Sequence, residues 1–273
     1  SAKAQGFQPG RKIRASYAGP ITSGINMAAF HAPMHAIVEN KAGRAPLLLT
    51  CEHATNWMPA DLHGLGLPQS LLDDHVAWDI GAFETAKVLA RLLDAPLIGA
   101  PASRLLVDPN RELGAKDLIP QTAEGTLIPG NQAVTQDERD ARISAYHIPY
   151  HAAIERFLAE RRDVIALASI HSFTPQLFGQ KRPWHVGVLF DHDERMSAPM
   201  IDVLTRDKDL VVGLNEPYPA ANGLFYSMDR HRGARAVVEI EIRNDLIRDA
   251  AGQAHWAEVL AAPFQSALDA VLR

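Results

Sequence analysis

The chain predicts an α/β fold of three layers, α/β/α, around a mostly parallel mixed sheet, and three observations carry the prediction. From Arg44 onward, apolar runs of strand length alternate with amphipathic helical stretches. Two of those runs, 46–53 and 164–171, are apolar through most of their length, as strands buried on both faces are. Both end in a histidine, His53 and His171, where open sheets of this class place their ligand crevice.

Taken in order, the runs at 46–53, 96–100, 103–108, 164–171, 185–190, 210–214 and 236–243 read as strands. Helices are expected over 70–93, 137–162, 196–206 and 254–272. In the first, Ile80, Phe83, Ala86, Ala90 and Leu93 recur at three- and four-residue steps, a single stripe facing a sheet. In the last, Trp256, Val259, Leu260, Phe264, Leu268 and Val271 repeat the pattern. Pro149 suits the first turn of a helix and breaks an interior one, so the helix beginning near Ser144 should kink or restart there. The stretch 114–136 has neither period and reads as a long loop of the functional or mobile kind.

The 273 residues are 47% hydrophobic and 22% charged, enough to bury one large core, and residues 27–273 read as a single domain. Residues 1–26 stand apart, with Lys3, Arg11, Lys12 and Arg14 uncompensated among Gly, Pro, Ser and Ala. They read as a vector-derived tag before Met27, or as a basic arm. A net charge of -5 gives no footprint for nucleic acid. No apolar run reaches the roughly 18 residues of a membrane span. The lone Cys51 fits a reducing, cytoplasmic setting. The oligomeric state stays open.

Chemistry-bearing residues cluster near strand ends. Glu239, Glu241 and Arg243 alternate with Val238, Ile240 and Ile242, so the three charges share one strand face. A solvated edge would look the same; facing the crevice, a carboxylate becomes a general base. Catalytic zinc takes three protein ligands, commonly His with His or a carboxylate, and keeps one position open. His53 and His171 offer two. Asp79 is the preferred third, lying four residues from His75 on one expected helix face, whereas Glu52 should point away from its strand neighbour His53. Asn110 and Arg111 follow the expected strand at 103–108; a guanidinium fork there suits a substrate carboxylate, although an ion pair with Asp108 is the plainer role. The Pro- and Gly-punctuated loop from Asn215 to Gly223 should lie over the pocket, with Asn215 as a further substrate contact. His147 and His151 sit four apart and either line the pocket or pack. Cys51 permits a thiol nucleophile sharing a strand face with His53, without any evident oxyanion motif.

SRLLVDPNR at 103–111, IHSF at 170–173, YHIPYH at 146–151 and EHA at 52–54 together resemble the N-formylglutamate amidohydrolase family, over about Pro46 to Asp245. Their order is also distantly similar to that of the zinc carboxypeptidases. The resemblance implies a phosphorylase/hydrolase-like fold of the zinc-exopeptidase type, with zinc held by His53, His171 and a third group. It further implies Asn110 and Arg111 on the substrate carboxylate, and Glu241, in a Glu241-Ile242-Arg243 context, as base. Arg104 is the candidate for oxyanion stabilisation. The small-molecule substrate so implied is an N-acyl amino acid, N-formyl-L-glutamate first. Two departures stand out. Asn56 lies three after His53, where the carboxypeptidases have glutamate, and Cys51-Glu52-His53-Ala54 replaces a PHSG-like form. A non-catalytic binding protein of the same fold, or a carboxypeptidase or deacylase with another carboxylate-bearing amide, are the alternatives.

Overall fold

The computed structural model describes residue 30, residues 33–219 and residues 225–273. The segment 1–26 and Met27 lie outside the described residues. In chain order the elements are β1 (Ile37–Glu39), β2 (Leu47–Cys51), α1 (Gln69–Leu72), α2 (Ala82–Leu92) and β3 (Leu97–Gly99). A small hairpin of β4 (Thr122–Ala123) and β5 (Thr126–Leu127) precedes α3 (Gln136–Arg142) and α4 (Ile148–Glu160). Then come β6 (Ala166–Phe173), a second hairpin of β7 (Gln176–Leu177) and β8 (Gln180–Lys181), β9 (Val186–Leu189), α5 (Ser197–Leu204) and β10 (Val212–Leu214). The chain ends with α6 (Tyr226–His231), β11 (Ala236–Arg243) and α7 (Ala250–Val271).

Seven strands form one sheet in the order β1-β3-β2-β6-β11-β9-β10. The central four, β3, β2, β6 and β11, run parallel, and so do β9 and β10. The β1–β3 and β11–β9 pairings are antiparallel, so the sheet is mixed and mostly parallel, as expected. Period-two alternation divides its side chains between two helical layers. Ala168 and Ile170 of β6, with Val238, Ile240 and Ile242 of β11, pack against Phe83 of α2, Met200 of α5 and Trp256, Leu260 and Phe264 of α7. On the opposite face Leu48, Leu167 and Val237 meet Tyr150, Ile154 and Phe157 of α4 and Met228 of α6. Each such large side chain, fully buried, contributes about 1.5–3 kcal/mol.

A third cluster, built from Leu62, Leu65, Leu105, Leu106, Leu118, Ile128 and Tyr146, lies among irregular segments. It explains two departures from expectation. Residues 103–108 are turn rather than strand, because Leu105, Leu106 and Val107 are buried in this cluster instead of pairing on a sheet. Ser103 and Asp108 also draw the backbone into local bonds: Leu106 N–H donates to the Ser103 carbonyl at 3.0 Å, and Asn110 N–H to Asp108 Oδ1 at 2.9 Å. The 114–136 stretch is likewise ordered by burial of Leu118, Ile128 and Asn131. Fully buried Arg142 ties these segments, donating to the Leu106 carbonyl at 3.1 Å and Asn131 Oδ1 at 2.7 Å, and pairing with Glu138.

The expected helix over 70–93 is broken: α1 stops at Leu72 and α2 starts at Ala82, so His75 and Asp79 share no helix face. His75 is instead held between Asp74 (Nδ1 to Oδ1, 2.9 Å) and Glu124 of the β4–β5 turn (Nε2 to Oε1, 2.8 Å). The expected helix over 137–162 does restart near Pro149, through one π turn at Ile143–His147 that absorbs the missing proline N–H. Strand β1 and helix α6 were not anticipated.

Gly81, which starts α2, has φ of +78°, and a Cβ there would stand 2.0 Å from the Ile247 carbonyl oxygen. Gly81→Ala should therefore cost more than about 1 kcal/mol and lower Tm by at least about 2–4 °C in a thermal melt. An unchanged melt would mean that the α2–Ile247 contact yields freely.

Candidate active site

The site lies at the carboxyl ends of the parallel strands, and register builds it. Glu241 pairs with His171, Glu239 with Ser169, and Ser169 with Thr50. Ser169 and His171 of β6 therefore share a face with Glu239 and Glu241 of β11, which face the crevice rather than solvent. Strand β2 ends at Cys51, and the chain turns through Glu52 and His53. Asp79 is drawn in from the α1–α2 connection by its own N–H, which donates to the His53 carbonyl at 3.0 Å.

His53, Asp79 and His171 are all buried, each with one potential ligand atom within 4.8 Å of the others. Asp79 bridges them, Oδ1 lying 3.4 Å from His53 Nδ1 and Oδ2 2.7 Å from His171 Nδ1. The far nitrogens face carboxylates. His53 Nε2 bonds Asp108 Oδ1 at 2.8 Å, and His171 Nε2 lies 3.0 Å from Glu52 Oε2, off the line of a straight hydrogen bond. Carboxylates behind histidines in this way fix the tautomer and ring orientation of metal ligands. Glu239 Oε2 and Glu241 Oε2 are buried without a hydrogen-bond partner. Such orphaned atoms beside a His–Asp–His donor set fit a divalent cation.

Burial governs the electrostatics. It pushes the Glu239 carboxyl up to about 7, against the pull of His171 and with the help of Glu52. Glu241 is likewise raised well above the usual carboxylate range, burial acting first, opposed by His171 and reinforced by Asp79 and Glu239. Asp108 moves the other way: burial would raise it, but the Arg104 guanidinium and His53 hold it well below.

The pocket has a volume of about 160 Å³, and every predicted site residue except Asn215 lines it, joined by Ser172, Tyr218 and Glu239. Arg104 is tethered to Asp108 Oδ2 at 2.8 Å, which leaves Nη1 3.3 Å from His53 Nδ1 and 3.7 Å from Asp79 Oδ1. Arg111 pairs with Asp117 at 2.8 Å, not with Asp108, and its Nη1 donates to the Asn110 carbonyl at 2.9 Å. Asn215 is a correction. Its Oδ1 accepts from Phe190 N–H at 2.9 Å, which spends the side chain on tying β10 to the end of β9, away from the pocket. The same loop does supply Tyr218, whose hydroxyl accepts from Arg182 at 3.0 Å, while residues 220–223 lie outside the described residues.

One further expectation is revised, and three open alternatives are decided. Glu52 does not point away from the site: β2 has already ended, and Glu52 lies wholly buried beneath His171. Both its oxygens are occupied, Oε1 by the Tyr150 hydroxyl at 2.8 Å and Oε2 by the Ser169 hydroxyl. Cys51 packs in the apolar layer with Leu47 and Leu49, on the sheet face away from the crevice, and burial raises its thiol well above normal, so it is no nucleophile. Asn56 donates to the Leu72 carbonyl at 2.9 Å and lies outside the pocket, so the departure at that position leaves the donor set intact. His147 and His151 do not line the pocket; they bond the backbone of the 109–111 turn.

Residues 45–248 match the profile of FGase, N-formylglutamate amidohydrolase. The chain belongs to that family. It is a hydrolase acting on amide bonds. The gene product Atu2144 of Agrobacterium tumefaciens, a solved structure, shares 34% identity with it at a TM-score of 0.84, over 90% of this chain and 98% of that one. The N-formylglutamate amidohydrolase of Ralstonia eutropha JMP134 superposes with a TM-score of 0.69 at 21% identity, over 88% of this chain and 99% of its own, a likeness of fold. No curated protein matches the chain. Among the described residues no helix is long and apolar enough to cross a membrane.

His171→Ala removes one of three convergent donors and should abolish retention of a divalent cation. Elemental analysis after dialysis checks this, and an unchanged metal content would exclude the His53–Asp79–His171 group as the cation site.

Proposed function

We propose that this chain cleaves the amide bond of an N-acylated amino acid, N-formyl-L-glutamate first among them, releasing formate and L-glutamate with the help of a zinc ion held by His53, Asp79 and His171. The observation that carries the reading is the meeting, in one small pocket, of that donor set, the buried carboxylate of Glu241 and the guanidinium of Arg111. Zinc held there supplies Lewis-acid polarisation of the scissile carbonyl and acidifies a water.

The chain's own groups do the rest. Arg111, steadied by Asp117, grips the substrate carboxylate together with Asn110, and this sets the formyl group toward the histidines. Glu241, on the β11 face that looks into the pocket, would be returned to its ionised form by a cation held beside it. As a carboxylate it takes a proton from the attacking water and passes it to the nitrogen of the leaving amine. Arg104, aimed by Asp108 at the space beside His53 and Asp79, meets the negative charge that develops on the formyl oxygen. A donor so placed is worth about 3–4 kcal/mol of barrier.

Glu241→Gln should abolish turnover while metal content stays intact, and retained activity would remove Glu241 from the mechanism. Arg111→Lys should raise KM sharply, because an ammonium cannot reproduce the fork; an unaltered KM would leave Arg111 a structural role. The decisive assay is formate release from N-formyl-L-glutamate with and without chelator. Chelator-sensitive release supports the whole reading. Neither metal nor turnover after reconstitution with zinc, cobalt or manganese would turn it toward a binding protein.

A further inference from the structure

The YHIPYH segment takes no part in the chemistry above, yet it directs hydrogen bonds at the one turn that carries Asn110 and Arg111. His147 lies at the end of the π turn and His151 one turn on in α4; both are buried. His147 Nε2 stands 3.0 Å from the carbonyl of Arg111, and His151 Nε2 stands 3.0 Å from the carbonyl of Pro109. A carbonyl only accepts, so both Nε2 atoms carry the proton. His151 Nδ1 is then bare, and it accepts from His231 Nε2 of α6 at 2.8 Å. From α6 also comes the Ser227 N–H, which donates to Asn110 Oδ1 at 3.0 Å.

We infer that His147 and His151, backed by His231, are positioning residues: a neutral imidazole relay that holds the Pro109–Arg111 turn and so fixes the grip on the substrate carboxylate. The relay requires neutral rings, since a proton on His151 Nδ1 would face the N–H of His231. Burial enforces this, pushing His151 down to about 2 and His231 to about 4. The rings also pack against one another at a tilt, His147 and His151 at 4.5 Å between centroids and 52° between planes, His151 and His231 at 5.0 Å and 31°, so none turns freely past the others. None of the three lines the pocket. The inference rests on the reading of Arg111 as the carboxylate-binding group.

The test compares His147→Leu, which cannot donate, with His147→Gln, whose amide can, in the zinc-loaded full chain with N-formyl-L-glutamate. His147→Leu should raise KM by about five- to tenfold, the weight of one hydrogen bond, with kcat and zinc content within about twofold of the parent, and Gln should restore KM. Unchanged KM in the Leu variant, or a fall in kcat with KM intact, overturns the inference. Arg111→Lys run alongside separates the causes. If it raises KM while His147→Leu does not, the relay fails and the carboxylate grip stands; if neither moves KM, the grip itself fails. Nitrogen-15 NMR of the parent protein is independent of variant folding: His147 and His151 should appear as Nε2–H tautomers, and the Nδ1–H form of either overturns the relay.

Discussion

Five carboxylates, Glu52, Asp79, Asp108, Glu239 and Glu241, are buried within one crevice, and the arrangement around them follows from the need to offset that charge. Removing an ion from water costs several kcal/mol even after relaxation, so each must find a partner or a proton. Asp108 finds Arg104 and His53; Asp79 finds both histidines; Glu52 finds Tyr150, Ser169 and the edge of His171. Glu239 and Glu241 are left with unpartnered oxygens, and these look into the pocket. Burial drives both toward the protonated form, and a cation among the neighbouring donors would return them to the charged one. The donor set and the orphaned atoms are thus two views of the same deficit.

The sheet makes this concentration possible. The β6–β11 pairing runs in register over eight residues, and its parallel sense brings two ends of like polarity to one place. Alternation then sends Ile240 and Ile242 into the apolar layer while Glu239 and Glu241 face the other way. The hydrophobic burial on one side holds the strand against the electrostatic cost on the other. The irregular third cluster does the same service for Arg104, Asp108 and Arg111, whose turn hangs between Leu105–Val107 and the helices α4 and α6.

Periodicity made the sheet legible beforehand. Apolar runs flagged every strand of the central core, and histidines at two strand ends pointed to the crevice and to His53 and His171. What misled was local. The 103–108 run is as apolar as a strand, yet burial in a cluster and burial in a sheet leave the same composition. Alternation puts Glu52 on the wrong face because β2 ends at Cys51, and Glu52 lies in a turn where the period of two no longer holds. For a related reason Glu239 reads in the sequence only as one of three charges on a strand face, and Asp108 only as a partner for Arg111. Nothing in spacing tells a carboxylate paired at the surface from one buried against a histidine. Asn215 reads as a contact because it opens the Pro- and Gly-punctuated loop expected over the pocket, whereas its side-chain oxygen accepts from the Phe190 N–H.

Gly187 of β9 pairs with Glu241, and a Cβ on it would stand 2.0 Å from the carbonyl oxygen of Glu216 and 3.3 Å from the Cβ of Glu241. The chain leading to Tyr218 can therefore lie flat on the strand beside the proposed base only because a methyl group is missing. Any side chain at that position would collide with the Glu216 carbonyl and displace the segment that carries Tyr218. The shape of the pocket wall beside Glu241 is thereby tied to a residue that does not itself line the pocket.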